Sequence, residues 1–303
     1  MSKISLQMYT MRDYIKTKSD LTDTVRKLSR IGFKNLQYTV QSFMTIKETK
    51  ELFDEFGISQ DSDCISFYAI ENNLKRVEDG AKYFKTPYLR CDSMPREMAT
   101  PDGIKGFCDE ANRIGKLISQ FGQRLLYHFH SYEFINFDGS NENGIDIFKK
   151  ELNPEYVLFQ PDTHWIQCGG ENPAEFIREN ADLIGYVHVK DYAIGKRDEL
   201  LESTPKLYAP VGCGNLNFKE IIKACKEINC EMSSNRMIVT ESHRLNVYKQ
   251  VLTTLKNSVW IRINTKIPTP NKCCAREAYH CSGSGFVHSK TPCIIAQRSG
   301  YSL

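Results

Sequence analysis

Four of the seven histidines in the chain stand beside carboxylates in three short segments, residues 127–134 (YHFHSYEF), 162–165 (DTHW) and 188–191 (HVKD). Each segment directly follows an apolar run that is typical of a buried strand. Imidazole and carboxylate groups together are donors that Zn, Mn, Fe or Co binds in proteins. The candidate residues are therefore His128, His130, Glu133, Asp162, His164 and His188.

Up to about residue 230, short apolar runs alternate with amphipathic stretches of helical period. The pattern predicts strands over residues 4–9, 35–38, 58–65, 88–91, 124–130, 157–160 and 186–189. It predicts helices over residues 21–31, 46–56, 74–84, 103–121, 145–152, 174–184 and 218–228. Asp20 is the predicted N-cap of the first helix, and Gly32 is its predicted C-terminal stop.

Seven strand–helix units indicate a parallel sheet with right-handed crossovers. With an eighth unit expected, they fit a (β/α)8 TIM barrel of about 250 residues, and a doubly wound open sheet is the alternative. The candidate side chains lie at the carboxyl ends of the fifth, sixth and seventh predicted strands. Active sites of TIM barrels lie at the carboxyl ends of the strands, so this distribution favours the barrel.

The bulk properties restrict the partners. A chain of 303 residues with net charge +3 gives no reason to expect nucleic acid or a membrane surface as a partner. No apolar run approaches the length of a transmembrane helix, and no signal peptide is visible, so a cytoplasmic location is expected. The cysteines before residue 230 have no ligand-like spacing, which predicts reduced core thiols. The sequence favours no particular oligomeric state.

Taken together, the motifs resemble the sugar phosphate isomerase/epimerase family of xylose-isomerase-like TIM barrels. The segments that carry the resemblance are residues 6–13 (LQMYTMRD), 128–134, 162–165, 188–192 and the glycine-containing stretch 211–218 (VGCGNLNF). The resemblance covers roughly residues 3–231. The combined order of the segments is specific, whereas any one motif alone is weak.

The resemblance implies a divalent ion, Mn²⁺, Mg²⁺, Co²⁺ or Zn²⁺, held by residues that follow strands five to eight. Asp162 and His188 match the positions after strands six and seven. Either His128 or Glu133 serves as the ligand after strand five. A Glu is expected after strand eight.

The implied reaction is isomerisation or epimerisation of a sugar or sugar derivative, through proton transfer next to a carbonyl and a metal-stabilised ene-diolate. Candidate catalytic residues are His130, Glu133, His164 and Lys190, and candidate substrate contacts are Gln7, Tyr9, Arg12 and Asp191. The single histidines also fit ordinary core positions, and Gly212 and Gly214 fit a plain turn better than a phosphate cradle. The alternatives are a metal-dependent AP endonuclease and a non-catalytic sugar-binding relic.

The resemblance stops after Glu231, and the expected eighth-strand Glu is missing. One added base before the Met232 codon lets the neighbouring frame read YVVEQDDCYGESPFEC, which restores a buried strand ending in Glu. We interpret residues 1–231 as the barrel and 232–303 as an out-of-frame tail, which leaves the last strand and helix aberrant and the activity impaired. The alternative, within the frame as written, is a surrogate eighth strand and helix at 236–260 that offers Glu241 as a ligand.

Overall fold

The structure, a computed structural model, describes residues 4–91, 94–137, 139, 141–194 and 206–234. Its strands are β1 (Ile4–Gln7), β2 (Asn35–Gln37), β3 (Ser59–Cys64), β4 (Tyr88–Cys91), β5 (Arg124–Tyr127), β6 (Val157–Phe159), β7 (Tyr186–Val189), β8 (Asp191–Ile194), β9 (Lys206–Ala209) and β10 (Glu231–Ser234). Its α-helices are α1 (Lys18–Ile31), α2 (Ile46–Glu55), α3 (Leu74–Phe84), α4 (Pro101–Ser119), α5 (Gly144–Glu151), α6 (Thr163–Cys168), α7 (Pro173–Glu179) and α8 (Phe218–Glu227).

Eight parallel strands form the sheet, in the order β6-β5-β4-β3-β2-β1-β10-β7. Its two end strands, β6 and β7, are joined by the parallel bridges Phe159↔Ile184 and Asp162↔His188. The ring of strands therefore closes, and the predicted TIM barrel is confirmed.

The eighth barrel strand is β10, which begins at the last residue of the resemblance. It pairs with β1 through Ile4↔Met232 and with β7 through Glu231↔Tyr186. The alternative surrogate strand and helix at 236–260, with Glu241, lie outside the described residues, as does the rest of the chain after Ser234.

Several predicted boundaries were wrong for local reasons. Thr17, not Asp20, is the N-cap of α1, and Asp20 completes a capping box by accepting the Thr17 N–H at 3.1 Å. Gly32 does end the helix, with φ of 108°. The helix predicted at 174–184 ends at Glu179. The Asn180 side-chain amide donates a hydrogen bond to the Phe176 carbonyl at 2.7 Å, and the chain turns there.

Two predicted strands were two or three residues too long, and three further elements at the carboxyl edge of the barrel were not predicted. The strand predicted at 4–9 ends at Gln7, where a 3-10 helix (Met8–Tyr14) begins, and the strand predicted at 124–130 ends at Tyr127. The unpredicted elements are α6, which has only six residues, and the strands β8 and β9, which form an antiparallel hairpin. In each case the chain leaves the barrel ladder at its carboxyl edge, where polar side chains interrupt the strand pattern.

The barrel interior is closed at its amino-terminal end by packed side chains. Leu126, Leu158 and Tyr186 form a cluster there, with Tyr88 against it. The Tyr186 hydroxyl crosses the barrel to Ser5 Oγ at 2.7 Å and Asp61 Oδ2 at 2.9 Å. Because this layer fills one end of the barrel, a ligand can enter only from the carboxyl end.

Among the described residues, no helix combines the length and apolar character that a membrane crossing requires. The seven cysteines in this part of the chain are free thiols, and most of them are buried. This agrees with the expectation of reduced core thiols.

Candidate functional site

A cavity of about 930 Å³ opens at the carboxyl ends of the barrel strands. Its wall includes residues that lie in or just after β1, β2, β3, β4, β5 and β7, together with Trp165 of α6. Three histidines line it: His128, His130 and His188. The cavity is therefore at the barrel end where TIM-barrel enzymes bind their substrates.

His128, Asp162 and His188 form a compact group of metal-ligand type in this mouth. Each offers one donor atom, and these atoms all lie within 4.8 Å of one another; all three residues are buried. The backbone holds Asp162 and His188 together, since the two residues form a parallel bridge and the His188 N–H donates to the Pro161 carbonyl at 2.8 Å. Three of the predicted ligands thus come together.

Hydrogen bonds select the ring nitrogen that each histidine can offer to an ion. His128 Nδ1 is 3.1 Å from the Gln160 carbonyl oxygen, and His188 Nε2 is 2.7 Å from Gln37 Oε1. Both partner oxygens can only accept, so these nitrogens carry the protons. The donor atoms for an ion are then Nε2 of His128 and Nδ1 of His188.

Both imidazoles are neutral at physiological pH. Burial lowers the pKa of His128 and of His188 well below the ordinary value, and the positive charges of nearby histidine, Arg90 and Lys190 lower it further. Since a metal binds only the neutral imidazole, the site needs no deprotonation step near pH 7.

Asp162 is also the N-cap of α6. Its Oδ1 accepts the backbone N–H of His164 at 2.9 Å, which fixes the carboxylate at the barrel mouth. The next residue, Thr163, accepts the Lys190 N–H at 2.9 Å and donates to the Lys190 carbonyl at 2.8 Å through its hydroxyl. The start of α6 is therefore locked to the end of β7.

Glu133, the other candidate for the ligand after strand five, lies outside the metal-ligand group. Its oxygens accept the Tyr127 hydroxyl at 2.8 Å and the His130 backbone N–H at 2.9 Å. Burial raises the pKa of this carboxyl. Of the two candidates, the structure brings His128 into the group, while Glu133 holds the loop that carries His130.

His130 and Lys190 both reach the cavity. The His130 ring lies 5.0 Å from the His128 ring and 5.1 Å from Trp165, measured between centroids. The Lys190 Nζ lies 4.2 Å from the centroid of Trp165 and 4.6 Å from that of Tyr208. The two aromatic faces hold the ammonium group in the pocket wall by cation–π attraction.

His164 and Asp191 do not line the cavity. The His164 ring packs edge-on against Trp165 at 4.7 Å and Tyr192 at 5.5 Å. The ring therefore lies behind Trp165, which lines the cavity. The predicted catalytic role of His164 stays a prediction.

The Asp191 carboxylate is enclosed by the backbone of the glycine-containing stretch. It accepts four N–H groups at 2.8 to 3.2 Å, those of Tyr192, Gly212, Gly214 and Leu216. These glycine N–H groups therefore bind a carboxylate of the chain itself, as in a structural turn, and the predicted substrate contact of Asp191 stays a prediction.

The remaining predicted contacts, Gln7, Tyr9 and Arg12, line the cavity. The Tyr9 N–H donates to Gln7 Oε1 at 2.6 Å, and Arg12 donates to the Tyr9 carbonyl at 3.1 Å, with its guanidinium 4.7 Å from the Tyr9 ring centroid. The first loop is therefore ordered by its own side chains.

Arg90 lines the cavity, and Tyr208 contacts the Lys190 ammonium group; neither residue was predicted from the sequence. Arg90 lies two residues after Tyr88 on β4 and so shares its face, which packs against the barrel interior, and this period-two spacing was the available signal. Tyr208 lies in the β8–β9 hairpin, for which the sequence showed no strand pattern.

A family model described as a xylose isomerase-like TIM barrel matches residues 25–257. Inosose dehydratase from Geobacillus kaustophilus is 27% identical over 144 residues, which are 45% of this chain and 44% of the relative. The chain thus matches less than half the length of this curated relative.

Solved structures share the fold at low identity. A sugar phosphate isomerase/epimerase from Parabacteroides distasonis is 18% identical with a TM-score of 0.66, covering 84% of this chain and 93% of the other. A xylose isomerase-like TIM barrel protein from Mycobacterium smegmatis in complex with magnesium is 15% identical with a TM-score of 0.63, covering 86% and 98%.

Proposed function

Because the chain belongs to the xylose isomerase-like TIM barrel family, we propose that it moves a proton next to the carbonyl of a sugar or sugar derivative. Isomerisation or epimerisation is the proposed outcome. The observation that carries this proposal is the buried group of His128, Asp162 and His188 beside a large cavity.

The donor set fits a divalent ion. Two neutral imidazoles and one carboxylate suit Mn²⁺, Co²⁺ or Zn²⁺ better than Mg²⁺, which prefers oxygen ligands. When bound, such an ion polarises a carbonyl oxygen as a Lewis acid and so eases removal of the neighbouring proton. His128, Asp162 and His188 would hold it.

Two side chains of the cavity supply the remaining chemistry of the proposal. His130 lines the cavity and is half-buried, so its imidazole can hold or move the substrate proton. Lys190 keeps its ammonium group between two aromatic faces, where it donates a hydrogen bond to an oxygen that gains negative charge. Glu133 acts on the reaction only by positioning His130, because its carboxylate accepts a hydrogen bond from the His130 backbone N–H.

Dehydration is a second candidate outcome, and the similarity to inosose dehydratase favours it. Elimination of water begins with the same removal of a proton next to a carbonyl, so the proposed residues serve either outcome. An AP endonuclease of this fold needs several ions, whereas the described residues contain a single group of metal-ligand type.

Deuterium exchange tests the proposal. The full chain is incubated with a panel of ketoses in D₂O with Mn²⁺, and proton NMR follows loss of the signal next to the carbonyl. We expect exchange that is abolished in His130→Gln and retained in His164→Gln, since only the first ring lines the cavity. Exchange that survives in His130→Gln would argue against the function, as would its absence across the panel from both the chain as given and a chain that continues in the neighbouring frame after Glu231. Sugar binding without metal would favour the relic.

We also propose that residues 232–303 are out-of-frame. In the neighbouring frame a Glu takes the place of Asn235, two residues after Ser233, which pairs in register with His188. A Glu there can complete the ligand set, so the frame-restored chain should bind Mn²⁺ more tightly than the chain as given. Genomic sequencing across codon 231 with no missing base, or equal affinities of the two chains, would contradict this proposal.

A further inference from the structure

The cavity wall is rich in positive charge. Arg12, Lys16, Arg90 and Lys190 all line it, and none of the described lining residues is Asp or Glu. Cations that line a concave, low-dielectric surface focus a positive potential on its interior. The pocket is therefore electrostatically matched to a ligand that carries negative charge.

Several basic side chains elsewhere on the barrel are paired with acids. Lys18 contacts Glu48 at 2.9 Å, and Arg178 contacts Glu227 at 2.6 Å. Among the described residues, Arg12 forms a hydrogen bond to the Tyr9 carbonyl and stacks on the Tyr9 ring, and no ion pair of Arg12 with an acidic residue is present. Its charge is thus oriented without being neutralised by a carboxylate.

The four cations fall into two sets. Arg90 and Lys190 are buried. Arg90 lies on β4, whose neighbour β5 leads into His128, and Lys190 is two residues after His188, so these two cations lie at the histidine end of the pocket. Arg12 and Lys16 lie on and just after the 3-10 helix that follows β1, and they are more exposed. We call this second set the β1 cation pair; if the histidine end of the cavity is the reacting end, the pair can contact a group of the substrate remote from the reaction.

The cavity has room for such a remote group. Its volume of about 930 Å³ is near the upper end of the range of small-molecule sites, about 300–1,000 Å³. An arginine fork matches the geometry of a carboxylate or phosphate, and a lysine adds a point charge.

We infer that the substrate is an anionic sugar derivative, whose carboxylate or phosphate group is bound by Arg12 and Lys16. This inference rests on the proposed function, because it treats the histidine end of the cavity as the reacting end. The β1 cation pair then determines specificity for charged over neutral sugars.

Calorimetric titration of the metal-free full chain tests the inference without requiring turnover. The probes share one skeleton: D-fructose, D-fructuronate and D-fructose 6-phosphate. We expect at least one of the two anionic sugars to bind about tenfold more tightly than D-fructose at low salt, as one charge-assisted hydrogen bond allows. The stronger anionic ligand identifies the group as carboxylate or phosphate.

Substitutions test which residues cause the preference for an anionic sugar. Arg12→Gln and Lys16→Gln should each weaken binding of the preferred anion more than binding of D-fructose. Lys116→Gln, which removes an exposed lysine from α4 outside the cavity, should change neither. Equal affinity for charged and neutral sugars, no binding of either anion, or an equal loss for all three sugars in Arg12→Gln would overturn the inference. A retained anion preference without deuterium exchange would instead count against the proposed function alone.

Discussion

Nε2 of His188 lies 2.7 Å from Oε1 of Gln37, a hydrogen bond that joins β7 to β2 across the mouth of the barrel. The two residues are 151 positions apart in the chain. The amide oxygen keeps the proton on Nε2, and Nδ1 is then the nitrogen that faces an ion. Because Gln37 is uncharged, it orients the ring without stabilising a protonated imidazole.

Loss of this acceptor should weaken the metal site. We expect Gln37→Ala to lower Mn²⁺ affinity about 10- to 100-fold, the usual effect of removing the partner of a ligating histidine. Gln60→Ala is the matched control, since Gln60 is a buried glutamine of the next strand whose amide donates to the Tyr38 carbonyl at 2.9 Å. Calorimetric Mn²⁺ titration measures both. Unchanged Mn²⁺ affinity in Gln37→Ala would show that Gln37 does not orient His188 for metal binding.

The buried imidazoles predict a pH dependence of stability. The folded-state pKa of His128 and of His188 is well below the ordinary value of 6.5. Below pH 6.5 the unfolded chain therefore binds more protons than the folded chain, so stability is present above that pH and is lost as pH falls. Urea denaturation of the metal-free chain between pH 8 and pH 5 should show a falling midpoint.

A variant isolates the imidazole contribution. His188→Asn cannot be protonated, so its urea midpoint should fall less steeply over the same pH range. Glu133, whose pKa is raised by burial, acts in the opposite direction, because the folded state holds its proton more tightly. Parallel pH profiles for the native chain and His188→Asn would contradict the assignment of a neutral buried imidazole.

Glu133 should matter for the stability of the fifth-strand loop. Glu133→Gln places an amide NH₂ group against one of two donors, the Tyr127 hydroxyl or the His130 N–H. A buried unsatisfied donor costs about 1–3 kcal/mol of unfolding free energy. Glu179→Gln, at an exposed helix end, should change it by less than about 0.5 kcal/mol. Equal unfolding free energies for the two variants would show that the Glu133 network contributes nothing.

The glycine-containing turn predicts a pair of opposite effects. A Cβ at Gly214 would lie 2.3 Å from the Tyr192 carbonyl oxygen and 2.4 Å from Asp191 Oδ1, so Gly214→Ala should destabilise the fold by about 1–3 kcal/mol. A Cβ at Gly106, within α4, meets nothing within 4 Å. Gly106→Ala should stabilise by up to about 1 kcal/mol. Thermal unfolding separates the two, and a tolerated Gly214→Ala would mean that the turn does not enclose Asp191 tightly.

The barrel and part of the site were predictable from local patterns. Asp162 and His188 directly follow apolar runs, and parallel strands bring their carboxyl ends to one edge, which is why these residues meet. The choice between His128 and Glu133 was not predictable, because it depends on which way the chain turns after Tyr127. The Gln37–His188 bond was also hidden, since no local pattern reports contacts between distant strands.

The hairpin and the charge of the pocket needed the structure. Tyr208 reaches Lys190 only because β9 folds back on β8, and neither strand shows a clear alternation of apolar residues. Arg12, Lys16, Arg90 and Lys190 are spread over 179 positions of the sequence, from 12 to 190, and only the closed barrel brings them to one wall.

Metal binding by Asp162→Asn tests the central claim most directly. Asparagine keeps the N-cap of α6 but removes the charged ligand from the group of His128, Asp162 and His188. Calorimetric titration with Mn²⁺ should show one ion bound per native chain and a large loss of affinity in a variant that remains folded. Equal stoichiometry and affinity in the native chain and in Asp162→Asn would contradict a metal site at the mouth of this barrel.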